Sequence, residues 1–184
     1  MSAPKRTKKF SKKLLPLLTF AFSILVILVG LVLRYRADPI FQDYEPEKLV
    51  SEETSRPILI SFPKESFSLS VLPTRIVEGN WELHDATANY LVSSRSPGTG
   101  GNVIIYGHNT KDVFGLLHRL KVSDAIIIKN NLDQEYSYAV SEITTVKPDQ
   151  IEVLAPTDHE VLTLYTCTGF LDQKRLIIKA LPTN

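Results

Sequence analysis

The chain has 184 residues, 43% of them hydrophobic, which suits one modest domain plus an additional segment. Its net charge of +1 hides an asymmetry: Lys5, Arg6, Lys8, Lys9, Lys12, Lys13, Arg34 and Arg36 all precede the first acidic residue, Asp38, which leaves 13 basic against 20 acidic side chains in the remainder. That balance argues against a nucleic-acid partner, because phosphate binding needs a basic face, and the single cysteine excludes an internal disulfide.

Residues 1–13 form a basic segment, and Leu14 to Leu33 follow as twenty residues without a charge. As a helix this stretch is about 30 Å long, the thickness of a hydrocarbon core. Pro16 falls in its first turn, where a missing amide hydrogen costs little. Six basic residues before it and two after it predict a single-pass helix with a cytoplasmic N-terminus and the remainder outside the cell. A cleaved signal peptide is the rival, but LVLRYRAD offers no small-x-small cleavage site. Residues 34–56 are polar and acidic with Pro39 and Pro46, and they read as an extracytoplasmic stalk with a short helix around Glu47 to Glu53.

From Pro57 the signals become those of strands. PILISF, FSLSVL, TRIVEG, NVIIYG, AIIIKN, YSYAVSEITTV, VLTLYT and RLIIKA are rich in Ile, Val, Thr, Tyr and Phe, punctuated by SPGTGG, Asn-Asn-Leu-Asp and Lys-Pro-Asp. Only VFGLLHRL, Val113 to Leu120, has helical spacing. Seven or eight short strands in this span predict an all-β domain over 57–184, either an antiparallel sandwich or a closed barrel, and periodicity does not choose between them.

The chemistry concentrates in Leu162 to Ala180. Cys167 ends one apolar run, seven residues (Thr168 to Lys174) connect it to the next, and Arg175 opens that run. Alternation puts Cys167 on one face with Thr163 and Tyr165, and Arg175 on one face with Ile177 and Lys179. The charges on this face predict a partly wet surface and an accessible thiol. His108, at the end of GNVIIYGHN, is the candidate base. Reference ionisation values give a thiolate–imidazolium pair only about 1% of the neutral pair, a fraction that a nearby cation raises. The histidine can then protonate a leaving amine, and the arginine can hold an oxyanion.

Composition by itself favours plainer roles: a packing cysteine, a turn histidine and an edge arginine. His84, His118 and His159 lie in polar or mixed contexts and are weaker candidates. One cysteine and four scattered histidines lack the spacing of a zinc site, so no metal site is expected. Gly-Thr-Gly-Gly lacks the lysine and helix of a phosphate loop.

The pairing of Gly107-His108 with Leu162-Thr163-Leu164-Tyr165-Thr166-Cys167 and with Arg175 before Leu176-Ile177-Ile178-Lys179-Ala180 resembles the sortase family. Pro97, Gly98, Gly100, Gly101 and Asn102 before the histidine strand, FGLLHRLKVSDAIII after it, and the anchor with its acidic stalk are similar to that family as well. The resemblance spans about Pro57 to Ala180. It implies a closed eight-stranded sortase-type β-barrel with one or two short helices. It also implies a cysteine transpeptidase that cleaves a Leu-Pro-x-Thr-Gly-like sorting signal between Thr and Gly through a thioester, then passes the acyl group to an amine of a peptidoglycan precursor or a pilin lysine. In that reading Cys167 is the nucleophile, His108 the general acid and base, and Arg175 the group that positions the signal's backbone and stabilises the oxyanion. Thr166 contributes a hydroxyl or backbone contact to the substrate.

No organic cofactor is implied, and calcium ligands known in some relatives have no match here. The short connection resembles compact relatives, of class D or E build among others, without assigning a subclass. A hydrolytic cysteine peptidase and a catalytically silent barrel that binds wall peptides or a partner protein are the alternatives. The terminal Leu181 to Asn184 is expected to fray.

Overall fold

The computed structural model describes residue 20, residues 22–29 and residues 55–183. The chain divides into two units, Met1–Phe41 and Gln42–Asn184. In the first, residues 22–29 are helical, and Phe22, Ile24, Leu25, Val26, Ile27, Leu28 and Val29 are all exposed. Among the described residues no helix is long and apolar enough to cross a membrane. The basic segment, most of the apolar segment and nearly all of the stalk lie outside the described residues.

In the described part of the second unit ten strands form. They are β1 (Pro57–Phe62), β2 (Phe67–Thr74), β3 (Ile76–Val77), β4 (Asn80–Trp81), β5 (Ala88–Leu91), β6 (Asn102–Gly107), β7 (Ala125–Asn130), β8 (Glu135–Val146), β9 (Val161–Thr168) and β10 (Lys174–Pro182). Eight of them close a barrel in the order β1-β2-β5-β6-β9-β10-β8-β7, while β3 and β4 pair as a separate ribbon. The choice between sandwich and barrel thus falls to the barrel, whose closure removes exposed strand edges. The sheet is mixed rather than antiparallel: β2 with β5 and β6 with β9 run parallel.

Most predicted strands appear in place, with three differences. TRIVEG yields only the last residue of β2, Thr74, and the two-residue β3 of the ribbon. A barrel strand that pattern reading passes over, β5, is four residues long and buried throughout, with Asn89 in its middle, so it has no alternation to read. The end of the chain does not fray through Thr183: Leu181 and Pro182 extend β10, and Thr183 N donates to Ser137 O at 2.8 Å. The helical spacing at Val113 to Leu120 produces a 3₁₀ turn at Gly115–Arg119, one of four such turns in the described part of this unit, and not an α-helix.

Ile60, Phe62, Ile105, Ile126, Ile128, Leu162, Leu164 and Ile178 fill the barrel at 0% exposure. Phe114 and Leu117, from the segment after β6, plug it. Burying each such side chain contributes about 1.5–3 kcal/mol. A second, smaller core lies on the opposite face of β5, β6 and β9, where Leu91, Ile104 and Tyr106 are covered by Ile76 and Trp81 of the ribbon, with Leu154 and Tyr165. This explains why β5 and β6 are buried on both faces.

The Gly-rich loop before β6 has a structural ligand of its own. Glu160 accepts from Gly98 N and Gly100 N, each at 3.0 Å, and from the buried Tyr138 hydroxyl at 2.6 Å. Gly98 and Gly100, at φ of +80° and +79°, supply the left-handed backbone that turns both amides toward one carboxylate. Glu160→Ala is expected to cost about 2 kcal/mol in urea unfolding, chiefly from stranding the Tyr138 hydroxyl.

Tyr90, Tyr106, Tyr138 and Tyr165 are all pushed above their ordinary ionisation value of 10.0, first by burial. Above that pH the unfolded chain releases phenolic protons that the folded chain retains. Stability is therefore expected to be intact below about pH 10 and to fall as the pH rises beyond it, which alkaline unfolding followed by tyrosinate absorbance measures.

Candidate active site

β9 lies between β6 and β10, and its register with each decides what meets at the rim of the barrel. On one side, parallel pairing sets Gly107 opposite Thr166, so His108, the next residue, comes abreast of Cys167. On the other, antiparallel pairing sets Arg175 directly opposite Cys167. With neighbouring strands about 4.8 Å apart, the three residues span roughly 10 Å of backbone. The carboxyl ends of β6 and β9 and the amino end of β10 thus deliver the three predicted residues to one place.

Two buried threonines lock this register. Thr163 Oγ1 donates to Asn102 Oδ1 at 2.6 Å, and Thr166 Oγ1 donates to the Gly107 carbonyl at 2.7 Å. Thr166 is 1% exposed, so its hydroxyl is spent on the strand end that carries His108.

Cys167 is a free thiol, half-buried on the outer face, which agrees with the accessible position expected from alternation. Burial pushes the thiol above its ordinary value, the Arg175 guanidinium pulls it down, and Asp172 pushes it up. Arg175 is held at three points: Nε donates to the Tyr165 hydroxyl at 2.9 Å, and Nη1 donates to the carbonyls of Asp172 at 2.7 Å and Lys174 at 3.0 Å. Nη2 takes part in none of these bonds.

His108 is placed by the segment that follows it. Phe114 N donates to the His108 carbonyl at 3.0 Å, folding Val113 and Phe114 back over Gly107. A Cβ at Gly107 would stand 2.8 Å from Val113 Cγ1, so the close approach requires glycine. His108 Nε2 lies 3.2 Å from Asp85 Oδ1, in the loop between β4 and β5.

The other histidines stand apart from this arrangement in their contacts: His118 Nε2 meets Asn109 Oδ1 at 3.2 Å, and His84 N and the His159 carbonyl serve local turns. Among the described residues no group of three or more His, Cys, Asp or Glu could hold a metal ion.

The sortase domain family matches residues 60–183 of the chain. The chain belongs to the sortase family. Sortase A of Bacillus anthracis is 32% identical over 83 residues, which are 44% of this chain and 39% of that relative's length. Among solved structures, sortase A from Corynebacterium diphtheriae superposes with a TM-score of 0.60 at 25% identity, over 72% of this chain and 63% of that one. Sortase C1 from Streptococcus agalactiae superposes with a TM-score of 0.59 at 26% identity, over 76% and 73%. The chain therefore resembles sortases of both the A and C types without falling to one. Sortases are generally cysteine transpeptidases.

Two neighbours of the candidate site are not singled out by the sequence. Asp85 reaches His108 only through a loop whose position depends on Asn89, which accepts from His84 N at 3.0 Å and donates to the Tyr106 carbonyl at 3.2 Å. Tyr165 shares the alternating face of Cys167, a signal that was available, but its bond to Arg175 depends on strand pairing. Because the Asp85 side chain is 99% exposed, its pair with His108 is strongly screened, and Asp85→Asn is expected to change turnover by no more than about threefold at physiological salt. The rate of Cys167 alkylation by iodoacetamide against pH tests the local electrostatics: Arg175→Ala moves the midpoint up, and Asp172→Asn moves it down.

Proposed function

We propose that this sortase is a membrane-anchored cysteine transpeptidase acting on proteins that carry a Leu-Pro-x-Thr-Gly-like sorting signal. The observation that carries the reading is the double register of β9, which sets Cys167 between His108 and Arg175. Cys167 Sγ attacks the threonine carbonyl carbon while its proton passes to His108. The oxyanion so formed is held by Arg175, through the Nη2 that its structural bonds leave over. Collapse breaks the Thr–Gly carbon–nitrogen bond, the His108 proton goes to the departing glycine amine, and a thioester remains. An incoming amine, from a peptidoglycan precursor or a pilin lysine, then attacks the thioester and yields a proton to His108, and the thiolate leaves. Thr166 contributes by pinning the thiol-bearing strand to Gly107 and by its backbone beside the substrate.

The anchor in this reading is the apolar segment from Leu14 to Leu33, with the N-terminus cytoplasmic and the barrel outside. Its support is compositional, together with the exposure of every apolar side chain over residues 22–29. An apolar surface of that kind calls for a nonpolar surrounding.

The decisive experiment incubates the protein with Leu-Pro-x-Thr-Gly peptides and hydroxylamine or triglycine. A hydroxamate or amine-exchanged product is expected from the wild type. Cys167→Ala should abolish it, and His108→Ala and Arg175→Ala should each reduce it by at least about a hundredfold. Cleavage to a free acid that added amine does not divert would favour the hydrolytic peptidase. No thioester with any member of a sorting-signal library would favour a binding barrel.

A further inference from the structure

The small ribbon outside the barrel buries a second, aromatic core beside the site, and its contacts lead to Arg175. Trp81 of β4 lies on Tyr165 in a stacked arrangement, 5.8 Å between ring centroids at 12°, and meets Tyr106 edge to face at 4.6 Å and 85°. The Tyr106 hydroxyl in turn lies 2.8 Å from Thr74 Oγ1 and 2.5 Å from the Glu82 carbonyl, so the residue following Trp81 is tied to β6. Glu82 is also paired with Arg75 across the ribbon in both directions, N to O at 3.0 Å and Arg75 N to Oε2 at 2.9 Å. Tyr165 is thereby clamped between its strand and a fixed indole.

Arg175 stands opposite Cys167, and Tyr165 precedes Cys167 by two residues on the same face. Arginine and tyrosine are therefore diagonal neighbours across the strand pair, a separation that long side chains bridge. They do so through Nε at 2.9 Å. A guanidinium on a flexible stem has many rotamers. Of the two carbonyls that hold Nη1, that of Asp172 lies in the β9–β10 connection, where Leu171 and Asp172 have φ of +51° and +58°, and that of Lys174 is at the start of β10. The phenol is the one side chain among these three partners of Arg175, and it comes from the neighbouring strand β9.

We infer that Tyr165 is a positioning residue for the transpeptidation proposed above: its hydroxyl, held in place by Trp81, fixes Nε of Arg175 so that Nη2 is kept for the substrate. The ribbon is then part of the catalytic apparatus at one remove, acting through a stack and a single hydrogen bond. The assignment rests on Arg175 serving the proposed reaction, and its tests separate the two.

Tyr165→Phe keeps the ring, its stack on Trp81 and its packing, and removes only the hydroxyl. With sorting-signal peptide, kcat/KM is expected to fall about tenfold, chiefly in kcat. In an Arg175→Lys background, where no Nε donor exists, the same change should cost no more than about twofold.

A second readout needs no substrate. The groups that act on the Cys167 thiol are Arg175 from β10 and Asp172 from the connection, with Tyr165 on its own strand, while His108 follows β6 abreast of it in the register. Because the thiol responds to Arg175, Tyr165→Phe should move the alkylation midpoint upward, by less than Arg175→Ala does. A tenfold loss that persists in Arg175→Lys overturns the inference, and so do a wild-type rate and midpoint in Tyr165→Phe. If the wild type transfers no acyl group, the proposed function fails, while the alkylation midpoint still decides whether Tyr165 positions Arg175.

Discussion

Everything distinctive about this barrel's rim follows from the way β9 pairs with its two neighbours. Parallel alignment with β6 brings two carboxyl-terminal strand ends to one edge, and antiparallel alignment with β10 brings an amino-terminal end to the same edge. Side chains alternate with a period of two, so a slip of one residue would send Cys167 to the interior and Thr166 outward. Thr163 and Thr166 guard against this from opposite faces, each with a bond shorter than 2.8 Å to the β6 strand. The interior residues Leu162 and Leu164 oppose the slip still more strongly, because it would expose side chains now at 0%.

Parallel pairing has a topological cost that the sequence absorbs. β6 and β9 cannot be joined by a tight turn, so the chain travels through the Gly115–Arg119 turn, β7 and β8 before returning. That excursion is also what closes the barrel, since β7 and β8 pair with β1 and β10. Gly107 marks where it begins: the segment turns back so closely over the strand end that no Cβ fits. The same fold-back packs Val113 and Phe114 into the interior, which couples the placement of His108 to the barrel's own core.

How much of this the sequence discloses depends on the range of the interaction. Runs such as NVIIYG, AIIIKN and VLTLYT carry their strand identity in β-branched residues, and Cys167, His108 and Arg175 are legible because each sits at the end of such a run. β5 is not legible, since a four-residue strand buried on both faces has no periodic signature and its Asn89 imitates a turn residue. The parallel pairings leave no local trace either, because a strand's composition does not reveal the direction of its neighbour. Glu160 in the glycine loop, Asp85 against His108 and Tyr165 against Arg175 are contacts between segments distant in sequence or across a strand pair. Residue type announces none of them. The 3₁₀ turn at Gly115–Arg119 shows the converse case: helical spacing was present, but a segment this short is shaped by packing of Leu116 and Leu117 rather than by propensity.

The electrostatics of Cys167 point to where the fold has invested its organisation. Burial opposes thiolate formation, Asp172 opposes it too, and Arg175 is the counterweight. A mobile guanidinium would have to be oriented anew each time charge developed, and that reorganisation would oppose the proposed reaction. Here Nε and Nη1 are already bonded to the tyrosine and to two carbonyls before any substrate arrives. The orienting work is done during folding, by the strand register, the β9–β10 connection and the stacked aromatic pair. What remains unengaged by those bonds is Nη2, on the residue that pairs with Cys167 across the strands. Preorganised donors of this kind stabilise developing charge more effectively than flexible ones because they need not move. The ribbon, the register threonines and the strained connection thus converge on a single result, a fixed cation at the strand end opposite the sulfur.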